Sequence, residues 1–215
     1  MSLNHKSTIT ISKRLIVEEV FNSITHGIGS LLSVFAIILL LLLPRKAVVG
    51  TIGLIIFGAV LLIAYTISTL YHSLKFTKAN TVFKILDHAA IFLLIAGTYT
   101  GLITQVLNNK LGLIILVFVW IVSIWGIIQK SIWVNKWKKA TLALYLGLGW
   151  AGILIAKPLI EVLPLRSVIL LCMGGLFYTF GVIFYVWKKL PFSHMIWHLF
   201  VLLGSFCHFL SIYFA

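Results

Sequence analysis

Charge is what this chain lacks most. Of 215 residues only four are acidic, Glu18, Glu19, Asp87 and Glu161, and charged residues of both signs make up 10%. Soluble domains draw about a quarter of their residues from the charged set. With 61% hydrophobic residues, a soluble fold of this length could not enclose its apolar surface. Cysteine is scarce as well. Cys172 and Cys207 form no CxxC pair and both fall in apolar runs, where they read as small buried side chains with no bearing on redox compartment. Short alternating segments of the β-barrel kind are missing, since the apolar runs are continuous and about twenty residues long. The chain has no repeat of fixed period and no low-complexity linker. Its first fifteen or so residues contain no apolar core ending in a small-residue cleavage site, so the first span is expected to serve as the insertion signal.

What remains is an all-α polytopic membrane protein, a bundle of seven transmembrane helices. A basic segment, residues 1–19, precedes a single transmembrane domain, residues 20–215. The spans are expected at Val20 to Leu43, Val48 to Leu74, Val82 to Leu107, Leu111 to Ile128, Ala140 to Ala156, Leu165 to Trp187 and Ser193 to Phe214. Twelve of the seventeen Lys and Arg fall in the N-terminal segment and the second, fourth and sixth connections; five fall on the other side. The positive-inside bias then places the N-terminus in the cytoplasm and the C-terminus outside, in the cell membrane. The net charge of +13 is explained by these flanking residues, without the basic and aromatic interleaving of a nucleic-acid groove. Membrane lipids, not nucleic acid, are the expected partners. Trp133, Trp137, Trp187 and Trp197 read as an interfacial aromatic belt.

Polar residues inside the spans carry the functional signal, because each is costly there without work or a partner. His194 and His198 stand four residues apart at the start of the last span, one turn above each other on one helix face. His72 ends the second span, with Ser68 one turn before it. Asp87 lies one turn into the third span, where it either favours a helix N-terminus or takes part in chemistry. The topology puts all five residues at one depth on the cytoplasmic side. Three neutral imidazoles with an open fourth position match a catalytic zinc site, and Zn²⁺ is favoured over copper or nickel by availability and ligand type, with iron and manganese still open. Glu18, Glu19, Asn22, Thr25 and His26 at the start of the first span read either as support for that site or as a capped helix start. His88 points away from Asp87 and reads as an interhelical contact. His208 lies about 15 Å deeper than His198 along an ideal helix, too far for the same metal, and a hydrogen bond to another span is its expected role. Glu161, between Pro158 and Pro164, reads as a solvated loop carboxylate. Gly97-Thr98-Tyr99-Thr100-Gly101 and Gly174-Gly175 read as points of close helix packing.

Taken together, Glu19-x-x-Asn22, Thr25-His26-Gly27, Ser68-x-x-x-His72, Leu86-Asp87-His88, Gly97-Thr98-Tyr99-Thr100, His194-x-x-x-His198 and His208-Phe209 resemble the bacterial hemolysin III family. That family is the prokaryotic arm of the progestin and adipoQ receptor superfamily, and the resemblance runs from about Glu18 to the C-terminus. It implies a seven-helix bundle with a cytoplasmic-side zinc on His72, His194 and His198. It also implies a water held near Asp87 with Ser68 in support. The superfamily is similar to alkaline ceramidases, which implies metal-dependent hydrolysis of a lipid amide or ester. Two alternatives stand beside it: a non-catalytic regulator of membrane composition with a structural zinc, and a pore-forming cytolysin.

Overall fold

Long apolar runs cannot leave backbone polar groups unpaired in hydrocarbon, so each closes its hydrogen bonds within itself as a helix. The computed structural model describes residues 12–42 and 48–215, and every regular element among them is helical. In chain order these are α1 (Lys13–Leu42), α2 (Val48–Ser73), α3 (Asn80–Val106), α4 (Lys110–Trp133), α5 (Lys138–Gly149), a 3₁₀ turn (Trp150–Ile155), α6 (Ala156–Val162), α7 (Leu165–Val186) and α8 (Ser193–Tyr213). Counting α5 to α6 as one, seven helical segments are long and apolar enough to cross a membrane. The lead-in through Ile11 and the Pro44-Arg45-Lys46 connection lie outside the described residues.

The first, second, third, fourth, sixth and seventh expected spans correspond to single helices. The basic segment becomes helical earlier than expected, from Lys13. The fifth span differs more. Expected to end at Ala156 with Lys157-Pro158 as a connection, it breaks at Trp150, passes through the 3₁₀ turn and resumes as α6. Pro158 falls in the first turn of α6, where a missing N–H removes no intrahelical bond. Glu161 is accordingly an exposed residue of that helix, not of a loop. Tyr99 steadies the break: its hydroxyl accepts from the Gly152 N–H at 2.6 Å and faces the carbonyls of Gly149 and Leu148 at 3.0 and 3.1 Å.

α2 packs along both α1 and α3, α7 packs along α8, and α8 returns to α1. α3 is the most enclosed span, with Phe92 fully buried and facing the bare backbone of Gly126 on α4. Small residues set the approach of α3 to α2. Gly97 lies under Val60, and Gly101 under Phe57. Of the two cysteines, Cys207 is buried but Cys172 faces outward, contrary to expectation.

At one end, here called proximal, α1, α3, α5 and α8 begin and α2, α4 and α7 finish. Phe192 launches α8 there from a left-handed conformation (φ 56°). Its N–H donates to Glu18 Oε1 at 3.4 Å and its ring meets Phe21 edge-on, so α1 fixes where α8 starts.

Candidate metal centre

α1 is amphipathic in an inverted sense. Glu19, Asn22, Thr25, His26, Gly29 and Ser33 recur at three- and four-residue spacing and are buried, while Val20, Phe21, Ile24 and Ile28 face outward. A helix that turns a polar stripe inward in a membrane must find partners for it, and here the partners are histidines. His72 Nδ1 lies 2.6 Å from Glu19 Oε2. His198 Nδ1 lies 3.1 Å from Thr25 Oγ1 and 3.2 Å from the Asn22 carbonyl oxygen. A carboxylate and a carbonyl only accept, so both imidazoles carry a proton on Nδ1, and Nε2 is the nitrogen each has left to offer a ligand.

Those nitrogens are turned toward one another. Nε2 of His72, His194 and His198 is in each case buried without a hydrogen-bond partner among the described residues. The three residues offer ligand atoms all within 4.8 Å of one another. The rings crowd together, His72 to His194 at 5.0 Å, His72 to His198 at 4.9 Å and His194 to His198 at 4.6 Å between centroids. Three buried acceptors facing one another would be costly in an apolar setting, and a cation meets that need. The residues therefore fit a metal ion, with the imidazole set that zinc takes and with the far ring nitrogens of His72 and His198 held by a carboxylate and by a backbone carbonyl, as is usual for ligand histidines.

The cluster contains no carboxylate. Asp87 instead lines a cavity of about 150 Å³ together with Ser68, Tyr145 and Tyr185; the three histidines are not in its wall, but His26 and Trp197 are, and these pack against His198 and His194. Asp87 Oδ2 lies 3.6 Å from His88 Nδ1, within ion-pair range but beyond hydrogen-bonding distance, and its side chain is mostly buried. Ser68 Oγ is buried and unpartnered among the described residues, one turn from His72 on α2. Lys75, just past α2, pairs with Glu19 Oε1 at 3.2 Å and donates to the Tyr71 hydroxyl at 3.3 Å. Burial opposes its charge, but the Tyr71 and Glu19 oxygens outweigh it and raise its pKa.

Other polar residues fall into place around this centre. His26 stacks on His198 at 3.5 Å with 13° between the ring planes. Trp197, read from sequence as part of the aromatic belt, instead packs inside between His194, His198 and Tyr185. Trp133 and Trp137 are exposed and pack edge-on at 5.3 Å. The His88 ring, expected to reach another helix, bonds back to the Lys84 carbonyl of α3 at 2.8 Å; only its backbone oxygen crosses, accepting from Tyr145. His208 does bond across, its Nε2 lying 3.2 Å from the Leu171 carbonyl oxygen of α7. The inward role of Trp197 is not read from sequence, whereas Thr25 is one of the residues left between site support and a capped helix start, and its contact with His198 decides for support. The three- and four-residue recurrence of polar positions in α1 is the signal that marks Thr25.

A bundle of seven membrane-spanning helices that gathers three bare imidazoles at one end is an integral membrane protein with a candidate metal centre. Residues 15–209 match the family described as Haemolysin-III related, and the chain belongs to that family. It is 41% identical over 208 residues to Hemolysin-3 of Bacillus cereus, covering 96% of this chain and 95% of that one. It is likewise 41% identical over 201 residues to the Hemolysin-3 homolog of Bacillus subtilis (strain 168), covering 93% and 94%. A more distant relative is the monocyte to macrophage differentiation factor of Homo sapiens, 29% identical over 164 residues, covering 74% of this chain and 68% of that one.

Proposed function

We propose that the protein is a zinc-dependent hydrolase of a membrane lipid, acting on an amide or ester from the cytoplasmic leaflet of the cell membrane. The observation that carries this reading is an apolar cavity whose wall holds Asp87, the unpartnered Ser68 hydroxyl, and His26 and Trp197, which pack against the histidine cluster. Zinc held by His72, His194 and His198 would supply a Lewis acid next to the cavity. The cavity takes the lipid chain and places its carbonyl near Ser68. Asp87 accepts a proton from the attacking water and returns it to the leaving group, and Ser68 donates a hydrogen bond to the carbonyl oxygen. Trp197 and Tyr185 keep bulk water from the chain.

A second reading has its own support. The histidines come from α2 and α8, and the groups that hold their Nδ1 atoms come from α1. The site thus ties three helices, as a structural zinc in a non-catalytic membrane regulator would. Purified protein with zinc bound, incubated with extracted membrane lipids and followed by mass spectrometry, separates the two. Under the first reading wild type releases fatty acid, and Asp87→Asn keeps its zinc while losing roughly a hundredfold or more of the rate. Zinc-loaded wild type that cleaves nothing, with mutants that still disturb membrane composition in cells, supports the second.

A further inference from the structure

The proximal edge of the cavity is marked by Asp87 on α3, Leu142 on α5 and Tyr185 on α7. Each has a lysine one turn further out. Lys84 precedes Asp87 by three residues, Lys138 precedes Leu142 by four, and Lys188 follows Tyr185 by three, its Nζ standing 4.5 Å over that ring. Residues three or four apart on a helix share a face, which holds for Lys84 and Lys138; Lys188 lies just past the end of α7 and is placed by its contact with the Tyr185 ring. Lys84 and Lys188 are each within electrostatic reach of Lys138 and of Lys75. The nearby acids are mostly committed elsewhere, Glu18 to Arg14 and Glu19 to His72 and Lys75, which leaves Asp87 facing the group. A positive-inside bias accounts for lysines at this end. It has no bearing on whether two cavity-walling helices each carry one, and a third has one just past its end, beside the same edge of the cavity. Inward from that edge the cavity is long and apolar. On α3 its lining runs from Asp87 to Tyr99, roughly 18 Å at 1.5 Å per residue.

We propose that Lys84, Lys138 and Lys188 form a headgroup site, and that the ligand of the cavity is a single-chain amphiphile with a phosphate-ester head. The chain lies in the cavity and the anionic head bridges ammonium groups that otherwise repel one another. This rests on the reading of the cavity as a lipid site and adds the charge of the lipid to it.

The test is equilibrium binding of radiolabelled lysophosphatidate and lysophosphatidylcholine, with matched chains, to purified protein in neutral detergent. Wild type is expected to bind lysophosphatidate about tenfold more tightly or better. The Lys84→Gln/Lys138→Gln/Lys188→Gln variant is expected to bind both lipids alike. Lys78→Gln/Lys136→Gln/Lys189→Gln, which removes as much charge from the same end, is expected to keep the preference. Equal affinities in wild type, binding of neither lipid by protein that retains its helical circular dichroism, or equal loss of preference in both triple variants overturns the proposal. Glycerol 3-phosphate, a head without a chain, is expected not to displace lysophosphatidate at equal concentration; displacement would mean a free phosphate site and overturns the amphiphile. Binding is read without cleavage, so a protein that prefers the anionic lipid but hydrolyses nothing removes the hydrolase and keeps the headgroup site. One that hydrolyses lipid without preference does the reverse.

Discussion

Glu19 Oε2 lies 2.6 Å from His72 Nδ1, a contact between α1 and α2 that fixes which nitrogen of the histidine faces the candidate metal site. The carboxylate also makes the imidazole a better donor to a cation, and loss of such a partner commonly costs ten- to a hundredfold in metal affinity. Glu19→Gln keeps the size and an acceptor oxygen but removes the charge. Zinc affinity, measured by competition with a chromophoric chelator, is expected to fall at least about tenfold. An unchanged affinity would mean that the contact only joins helices.

His72→Ala, His194→Ala and His198→Ala should each bring bound zinc well below one equivalent, as read by elemental analysis of purified protein. Because the candidate ligands and their supports span α1, α2 and α8, occupancy should also stabilise the bundle by linkage. Stripping the metal from wild type is therefore expected to lower Tm, whereas the histidine variants should melt at the same temperature with and without chelator. A chelator-induced shift that survives in all three variants would place the metal elsewhere.

Much of this arrangement is legible in the sequence because membrane spans obey a simple length and hydropathy rule, and because intramembrane histidines are few. The i, i+4 pair at His194 and His198 and the position of His72 at a span end already put the three at a common depth. What the sequence leaves open is partnership. Glu19 and Asn22 could cap a helix start as readily as support a site, and only packing of α1 against α2 and α8 decides between these. Trp197 reads as an interfacial residue because its place along the helix is near a span end; its angular position, which points it inward, is a property of the assembled bundle. The break at Trp150 is hidden because Pro158 is as compatible with the first turn of a new helix as with a loop.

Close approach of α3 to α2 should be sensitive to a single methyl group. A Cβ on Gly97 would collide with Val60 Cγ2 and fall 2.9 Å from Cγ1 and 3.0 Å from Cβ of the same residue. Val60 is stiff at χ1 and buried, so it cannot swing aside cheaply. Gly97→Ala is expected to destabilise by about 1–3 kcal/mol, seen as a lower Tm in detergent. Gly147, also helical, has nothing within 4 Å of the place a methyl group would occupy. Gly147→Ala should be neutral or mildly stabilising, since alanine loses less entropy in a helix. Equal effects at both positions would refute packing as the reason for glycine at 97.

The two supporting contacts should rank by charge. His198 Nδ1–H is shared between Thr25 Oγ1 at 3.1 Å and the Asn22 carbonyl oxygen at 3.2 Å. Thr25→Val preserves shape and removes one neutral acceptor, but the backbone carbonyl remains to hold the same proton and the same tautomer. Glu19→Gln removes a full negative charge from the His72 ring, in a buried setting where charge acts at low dielectric. Zinc affinity should therefore drop less in Thr25→Val than in Glu19→Gln, and the double variant should show losses that are not simply additive, because the two supported ligands share one site and their rings are in contact. If Thr25→Val proved the more damaging, ring orientation at His198 rather than charge at His72 would be the controlling feature of the site.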